Sequence, residues 1–508
     1  MKKIIIAILC ISLLTAAIVV AININSENVT TEPEVSSTNT DETPVRSVYL
    51  GYFDKKSFNP YKTDSFTNLN ISTLLYDPLF IINDDWSSDM LLAKEIQNDG
   101  KQVTVKIVDG EVFSNGASLT AYDVVYSFNL AKKSPHFKGR LSNLATAVAG
   151  VDTVTFALNS PDVYVQQCLT FPIIQNGTGD AALPIGSGRY VLRSINGEYV
   201  LSENPTSTRK EALSTPILGL TAIDAENDEI YRIQAGHLSY FCDDMDSGVF
   251  TKLNATTLPL STNNLIYLGY NSENEVFNNK NVIKALSTAI DKSTLADTVF
   301  DNFCTLTETP FNPDWFALEG LPLPTHEYNL INAGNILDEC GIIFSPKDKT
   351  FRYDTDGYFE IKILVNKEST TKVNCAKFIG KNLQNLGIKV SLSALAFEDY
   401  QQALKDGSYD LYIGEVKISP NMDLSAFFKS GGAASYGISS KAVASAYNDL
   451  KTGNIDVNTF ISVFEEEKPF IPICYRTYVA YYSNDITYEG SANVNEPFYN
   501  INSWKSES

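Results

Sequence analysis

Residues 361–416 read IKILVNKESTTKVNCAKFIGKNLQNLGIKVSLSALAFEDYQQALKDGSYDLYIGEV, and this stretch decides the fold class. Three apolar runs (EIKILV from Glu360, IKVSLSAL at 388–395 and YDLYIGEV at 409–416) have the length and residue types of strands. Between them lie TKVNCAKFIGKNLQNLG at 371–387 and FEDYQQALKDG at 397–407, each helical in character and closed by glycine. Strand, helix, strand, helix, strand at this spacing predicts βαβ units on a parallel sheet, because parallel strands need a long crossover.

Strand and helix patterns continue on both sides of this unit. Upstream, IYLGY at 266–270 reads as a strand, 280–291 as a helix, and 328–340 as a helix capped by Gly341. Nearer the N-terminus, 48–53 reads as a strand and 103–108 as the first arm of a hairpin. Asp109-Gly110 would make the turn and Val112-Phe113 the second arm. Thr120 with Asp123 predicts a capping pair, and Val124, Val125, Phe128 and Ala131 share one face of the helix after it, which ends before Pro135. Residues 151–158 alternate like a half-buried strand, and PIGSGRYVL at 184–192 reads as a glycine turn entering another. Downstream, FIPICYRTYVAYY at 470–482 is again strand-like. The whole is α/β, with two lobes as its natural arrangement and the last strand able to return to the first lobe.

The chain has 508 residues, enough for two or three domains. At 44% hydrophobic and 19% charged it can bury sizeable cores. Its net charge of −21 argues against nucleic acid, which needs clustered Lys and Arg. The 27 Tyr and 27 Phe can furnish a core and the walls of a cleft together.

Lys2 and Lys3 precede an apolar run at 4–24, broken only by Ser12, Thr15 and Asn23. That run is about the 20 residues needed to cross a bilayer, oriented to export the downstream chain. It reads as a membrane anchor or, with a weak exit at Val19-Val20-Ala21, as a cleaved signal; Cys10 lies too early in it for lipidation. Residues 25–46 are polar and read as a disordered tether. The remaining six cysteines, at 168, 242, 304, 340, 375 and 474, form no CxxC pair, and Cys340 and Cys375 read as buried thiols.

A search for chemistry returns little. The three histidines, at 136, 237 and 326, fit no metal-ligand spacing. There is no GxSxG elbow and no phosphate-binding loop, and Gly186-Ser187-Gly188 precedes a strand rather than a helix. Asp243, Asp244 and Asp246 cluster, but without the calcium-loop spacing, and read as an exposed acidic loop. No metal and no cofactor is expected, and binding is favoured over catalysis.

Five stretches resemble one family. These are LLYDPLF at 74–80 with LAKEI at 92–96; VTVKIVDGEVFSNGASLTAYDVVYSF at 103–128; PIGSGRY at 184–190; NVIKALSTAID at 281–291; and YDL at 409–411 with NMDL at 421–424. In this order they are similar to the bacterial extracellular solute-binding proteins of the peptide/nickel type, family 5. The second stretch departs from the family signature at Asn115 and Tyr122.

The resemblance implies a two-lobe periplasmic-binding-protein-like fold, of the type II, large peptide-binding class, with a hinge. Residues 47–262 and 470–508 would form lobe 1 and residues 263–469 lobe 2. It also implies a monomeric receptor outside the cell membrane that clasps a small solute, most often an oligopeptide, and hands it to an ABC permease. A binding-only sensor and an exported hydrolase are the alternatives. Peptide binders of this family often hold the ligand's amino end with a lobe 2 carboxylate. Here Glu415 is the nearest acid to that place and Asp423 the next. Trp86, Tyr270, Phe428 and Tyr436 are candidate wall aromatics, with core packing as the competing role.

Overall fold

The computed structural model describes residues 48–209, 211–225, 228–246, 251–345, 349–355, 357–488 and 492–506. The expected anchor and tether, 1–24 and 25–46, lie outside the described residues. Strand β1 (Tyr49–Phe53) leads into helix α1 (Phe66–Leu75). Strands β2 (Ala93–Asn98), β3 (Gln102–Ile107), β4 (Leu144–Ala149) and β5 (Thr153–Leu158) form an antiparallel sheet in the order β2-β3-β5-β4. Helix α2 (Ala121–Ala131) packs on it, Phe128 against Phe156 with ring centroids 5.4 Å apart. Its first turn is fixed by the expected pair, Thr120 N and Oγ1 donating to Asp123 Oδ2 at 2.8 and 2.7 Å.

Strands β6 (Tyr190–Ile195), β7 (Glu198–Glu203), β8 (Ile217–Ile223) and β9 (Tyr240–Asp243) then lead to the long strand β10 (Thr256–Tyr270). Next come helix α3 (Lys280–Thr288), strand β11 (Cys304–Leu306) and helix α4 (Leu330–Glu339), which ends at Gly341 with φ 82°. The stretch that decided the fold class comes after them as β12 (Glu360–Asn366), α5 (Thr370–Asn385), β13 (Lys389–Leu395), α6 (Phe397–Lys405) and β14 (Leu411–Lys417). Helices α7 (Lys441–Lys451) and α8 (Val457–Glu467) precede strand β15 (Ile471–Tyr482).

One eleven-stranded sheet runs through the described residues in the order β13-β12-β14-β10-β15-β9-β1-β8-β7-β6, with β11 on β15. β12 is parallel to β13 and β14, as the βαβ spacing requires. α5 buries Cys375, Ala376, Ile379 and Leu383 with Ile361, Ile363 and Val365 of β12. Each large apolar side chain so buried is worth about 1.5–3 kcal/mol. The opposite face carries Leu364 and Tyr412 against Val443, Phe460 and Phe464 from α7 and α8. Both faces of β12 and β14 are covered, which explains their apolar centres, whereas β13, at the edge of the sheet, stays half-exposed.

β10 and β15 tie the halves together. The first part of β10 pairs with the end of β15, whose other edge pairs with β9; the last part of β10 pairs with β14. The β10–β15 register breaks between Leu260 and Asn264. One hydrophobic core joins residues from Val48 to Leu260 with residues from Ala480 to Trp504, so the end of the chain packs on its first half. Two further cores hold the residues between, with Ile82 and Trp86 reaching across into one of them.

Two local expectations change. β3 pairs with β2 and β5, and Val112 makes only an isolated bridge to Ser118. Asp109-Gly110 is therefore a turn but not a hairpin turn, because the neighbours of β3 come from 93–98 and 153–158. The Gly186–Gly188 segment is not a positive-φ turn. It presses on the end of α1, where a Cβ on Gly186 would meet Leu75 O at 2.2 Å and one on Gly188 would meet Leu74 O at 2.4 Å. Close backbone approach is what requires glycine there.

Candidate functional site

A cavity of ≈ 410 Å³ opens where the halves meet, within the size range of small-ligand sites. From the first lobe it is lined by α1, by the 135–140 loop after α2 and by the 494–496 segment; Trp86 and Tyr478 add rings. From the second lobe come Lys417, at the last position of β14, and the chain beyond it through Pro420. Asn263, at the register break of β10, forms part of the wall.

Several charges in this lining lack a counter-charge. The Arg140 guanidinium donates to Thr170 Oγ1 at 2.7 Å and Asn495 Oδ1 at 3.0 Å, and lies over the Phe137 ring at 5.5 Å. It has no carboxylate partner among the described residues. Lys417 is open to the cleft, and its ammonium has neither hydrogen bond nor ion pair among the described residues. Enclosure by protein and then repulsion from Arg140 lower its pKa to about 8. Arg209 is neutralised by Asp77. Glu496 is the only acid in the lining among the described residues, and desolvation raises its carboxyl to about 7 against the pull of Arg209. His136 Nε2 is taken up by Thr63 O at 2.7 Å.

Three lining residues also carry a buried nitrogen with no acceptor among the described residues: Trp86 Nε1, Arg209 Nε and Asn263 Nδ2. Each of these atoms is a donor, but each is sealed behind the wall rather than open to the cavity. What the lining offers to whatever enters is positive charge, from Arg140 and Lys417.

Of the residues singled out in the sequence, Trp86 lines the cavity, held at φ 60°. The others lie elsewhere. Glu415 accepts from Lys372 Nζ at 2.6 Å and from Arg476 Nε and Nη2 at 3.1 and 3.0 Å. Burial pushes its carboxyl up, but Arg476 and Lys372 outweigh this and hold it below the usual carboxylate range. Arg476 also donates to Asp244 O, and Ser369 Oγ to Asp246 Oδ1 at 2.6 Å, so the acidic loop is tied to the start of α5. Asp423 accepts from Tyr447 OH at 2.6 Å and faces Lys451 at 3.5 Å; Lys451 in turn meets Asp162 of the first lobe at 3.0 Å. Both acids thus have cations already.

Tyr270 is buried and donates to Lys468 O at 3.1 Å. Phe428 packs against Phe427 and Tyr447 at 6.0 and 5.8 Å, and Tyr436 lends its carbonyl to Tyr412 OH at 2.9 Å. These three are packing residues of the second lobe. Among the described residues no group of three or more His, Cys, Asp or Glu could hold a metal ion.

Sequence reasoning missed Arg140, Lys417, Asn263 and Glu496. Only Lys417 had a legible signal: it ends a parallel strand, where ligands of such sheets gather. Arg140 and Glu496 come from loops more than 350 positions apart, joined through Asn495.

Comparison with known proteins matches this arrangement. Residues 86–435 match the family described as "Bacterial extracellular solute-binding proteins, family 5 Middle". The oligopeptide-binding protein AppA of Bacillus subtilis (strain 168) is 25% identical over 380 residues, 69% of each chain. Among solved structures, the unliganded open form of the murein tripeptide-binding protein MppA superposes with a TM-score of 0.76 at 17% identity, covering 91% of this chain and 98% of that one. A nickel ABC transporter structure from Bacillus halodurans also gives 0.76, at 14% identity, over 91% and 100%. A profile match over more than half its length, on a two-lobe α/β fold with an interlobe cavity, makes this chain a member of the bacterial extracellular solute-binding proteins, family 5.

Proposed function

We propose that the protein is the capture component of an ABC importer that takes an oligopeptide into the interlobe cavity and delivers it unaltered to a membrane permease. The observation that carries this reading is a cavity walled from both lobes, with the polar side chains of Asn70, Thr73, Arg140 and Lys417 in its lining. A peptide brings carbonyls that must find donors once they leave water. Relatives support it: AppA and two proteins called OppA are named oligopeptide-binding.

Closure would turn on β10 and β15, which run through both lobes. Ligand favours the closed state only to the extent that it binds that state more tightly. Trp86 would supply an aromatic wall, whereas Glu415 and Asp423 would brace the lobes rather than hold a ligand amine. The 1–24 segment would anchor a monomer at the outer membrane face, with 25–46 as its tether. Small-angle scattering of the detergent-solubilised full chain tests the proposal, with and without a mixed tri- to pentapeptide library. A smaller radius of gyration with peptide is expected. Superimposable profiles together with no peptide retained in native mass spectrometry would reject it.

A further inference from the structure

The eleven-stranded sheet has two ends, and they differ. β6, at one end, carries the charge of Arg193. β13, at the other, reads KVSLSAL, with no charged residue from Val390 to Phe397. Its one charge, Lys389, is engaged by Glu360 of β12 at 3.1 Å. β12 is also its single neighbour in the sheet among the described residues, in parallel register. Lys389 N donates to Phe359 O at 3.1 Å, and Leu395 O accepts from Lys367 N at 2.8 Å, so the odd-numbered residues of β13 turn their backbone groups toward β12. The N–H and C=O groups of Val390, Leu392 and Ala394 therefore point away from the sheet. Leu392 is 39% exposed, and Ala394 beside it is exposed as well. Exposed rings flank the strand: Phe344 lies against Gly387 just before it, and Phe397 follows it. Natural edges are blunted by charge, proline or a bulge, and an apolar edge left bare is a template for another strand.

We infer that β13 is a docking edge for a second copy of this chain, the two strands pairing antiparallel about a two-fold axis at Leu392. The strand's own pattern picks this occupant. With Leu392 opposite its counterpart, Val390 falls opposite Ala394, and each such pair exchanges both N–H···O bonds through the groups that now face outward. No like charges are brought together. Lys389 of each copy comes to the end where the other carries Glu398 and Asp399, and Phe397 of each comes toward Phe344 of the other. The leucines that meet across the axis lie on the α5 face of the sheet, to which Val390 belongs through its approach to Gly380. A two-fold contact closes on itself, so the product is a pair and not a fibre.

The pair is weak by construction. One strand of contact falls below the roughly 1,200 Å² of lasting interfaces. Each copy also brings a net charge of −21, which opposes approach. The chain therefore stays monomeric when dilute, and pairing needs the high local concentration of chains held on one membrane. Salt favours it, because the reach of the repulsion shrinks from about 30 Å at 0.01 M to about 8 Å at 0.15 M. No residue of β13 lines the interlobe cavity, so pairing does not depend on the solute.

Disulfide trapping tests the pair. The full chain carrying Leu392→Cys is reconstituted in phosphatidylcholine vesicles and oxidised with Cu(II)–phenanthroline. Wild type treated alike sets the background from the native cysteines. Across a hydrogen-bonded antiparallel pair the Cα atoms stand about 5.5 Å apart, within disulfide reach. A covalent dimer is expected, at about five times or more the yield from Ala394→Cys, whose counterparts would lie about 13 Å apart along the strands. Ala394 is exposed, so adding Ala394→Lys to the Leu392→Cys chain keeps the fold, and it should cut the yield as far. Raising salt from about 0.01 M to about 0.15 M should increase the yield. Equal linking by the Leu392→Cys and Ala394→Cys chains would mean random encounter and overturn the pairing. So would a yield that Ala394→Lys leaves unchanged, or no linkage above the wild-type background. Each of these results leaves peptide capture standing.

Discussion

The flanks and the floor of the interlobe junction handle charge in opposite ways. On the flanks, Asp162, Lys451 and Asp423 form one network and Lys372, Glu415 and Arg476 another, every member facing an opposite charge. In the cavity Arg140 and Lys417 face none, and Glu496 makes no hydrogen bond through its carboxylate among the described residues. Charges left unpaired in a cleft add nothing to stability, so a fold retains them where something other than stability is served. The flanks read as bracing and the floor as recognition.

That contrast can be broken by mutation. Lys451→Met strands Asp162, whose side chain is 1% exposed, together with Asp423. It should cost about 3–5 kcal/mol in denaturant unfolding, the usual loss when one partner of a buried pair is removed. Glu415→Gln leaves Arg476 and Lys372 facing each other across a neutral amide, and should cost about 3 kcal/mol by the same measurement. If it instead abolished peptide retention with no loss of stability, Glu415 would belong to the floor.

Two carboxyls shifted in opposite directions sharpen the comparison through pH. Glu308 is held at about 2: burial raises it, but His326, Lys292 and Lys468 outweigh burial. Its contribution is present above the unfolded value of 4.5 and is lost as pH falls toward 2. Glu496, raised to about 7, has the opposite sign. The fold prefers its protonated form, so its contribution is present below 4.5 and is lost as pH rises through 7. Glu496→Gln should therefore be more stable than wild type at pH 8 by about 1–2 kcal/mol and match it at pH 5, read by calorimetry. A variant equally stabilised at both values would show that the carboxyl does not titrate in the fold.

No stability loss is expected at Lys417. Lys417→Met removes a cation that has no partner and that Arg140 repels, so unfolding stability should hold or rise. A loss comparable to that of Lys451→Met would erase the distinction between floor and flank.

The sequence carried the architecture because local rules write it redundantly. The βαβ unit at 361–416, the Thr120–Asp123 cap and the glycine-stopped helices each arise from periodicity or capping within a few residues. Family membership was legible from five short stretches for the same reason. The Gly186–Gly188 segment marks where this legibility stops. Its glycines were visible, but their partner, the end of α1, lies more than 100 positions away.

The site is of the second kind. The sequence could show that Glu415 and Asp423 are acids near the right place; only the packed molecule shows that Lys372, Arg476, Lys451 and Tyr447 have already claimed them. Nor does any local pattern bring Arg140 beside Asn495, or set both across from Lys417. Composition and periodicity act along the chain and so determine which elements form. Whether a charge is neutralised depends on distance through space, which is decided when the two lobes close around the strands that join them.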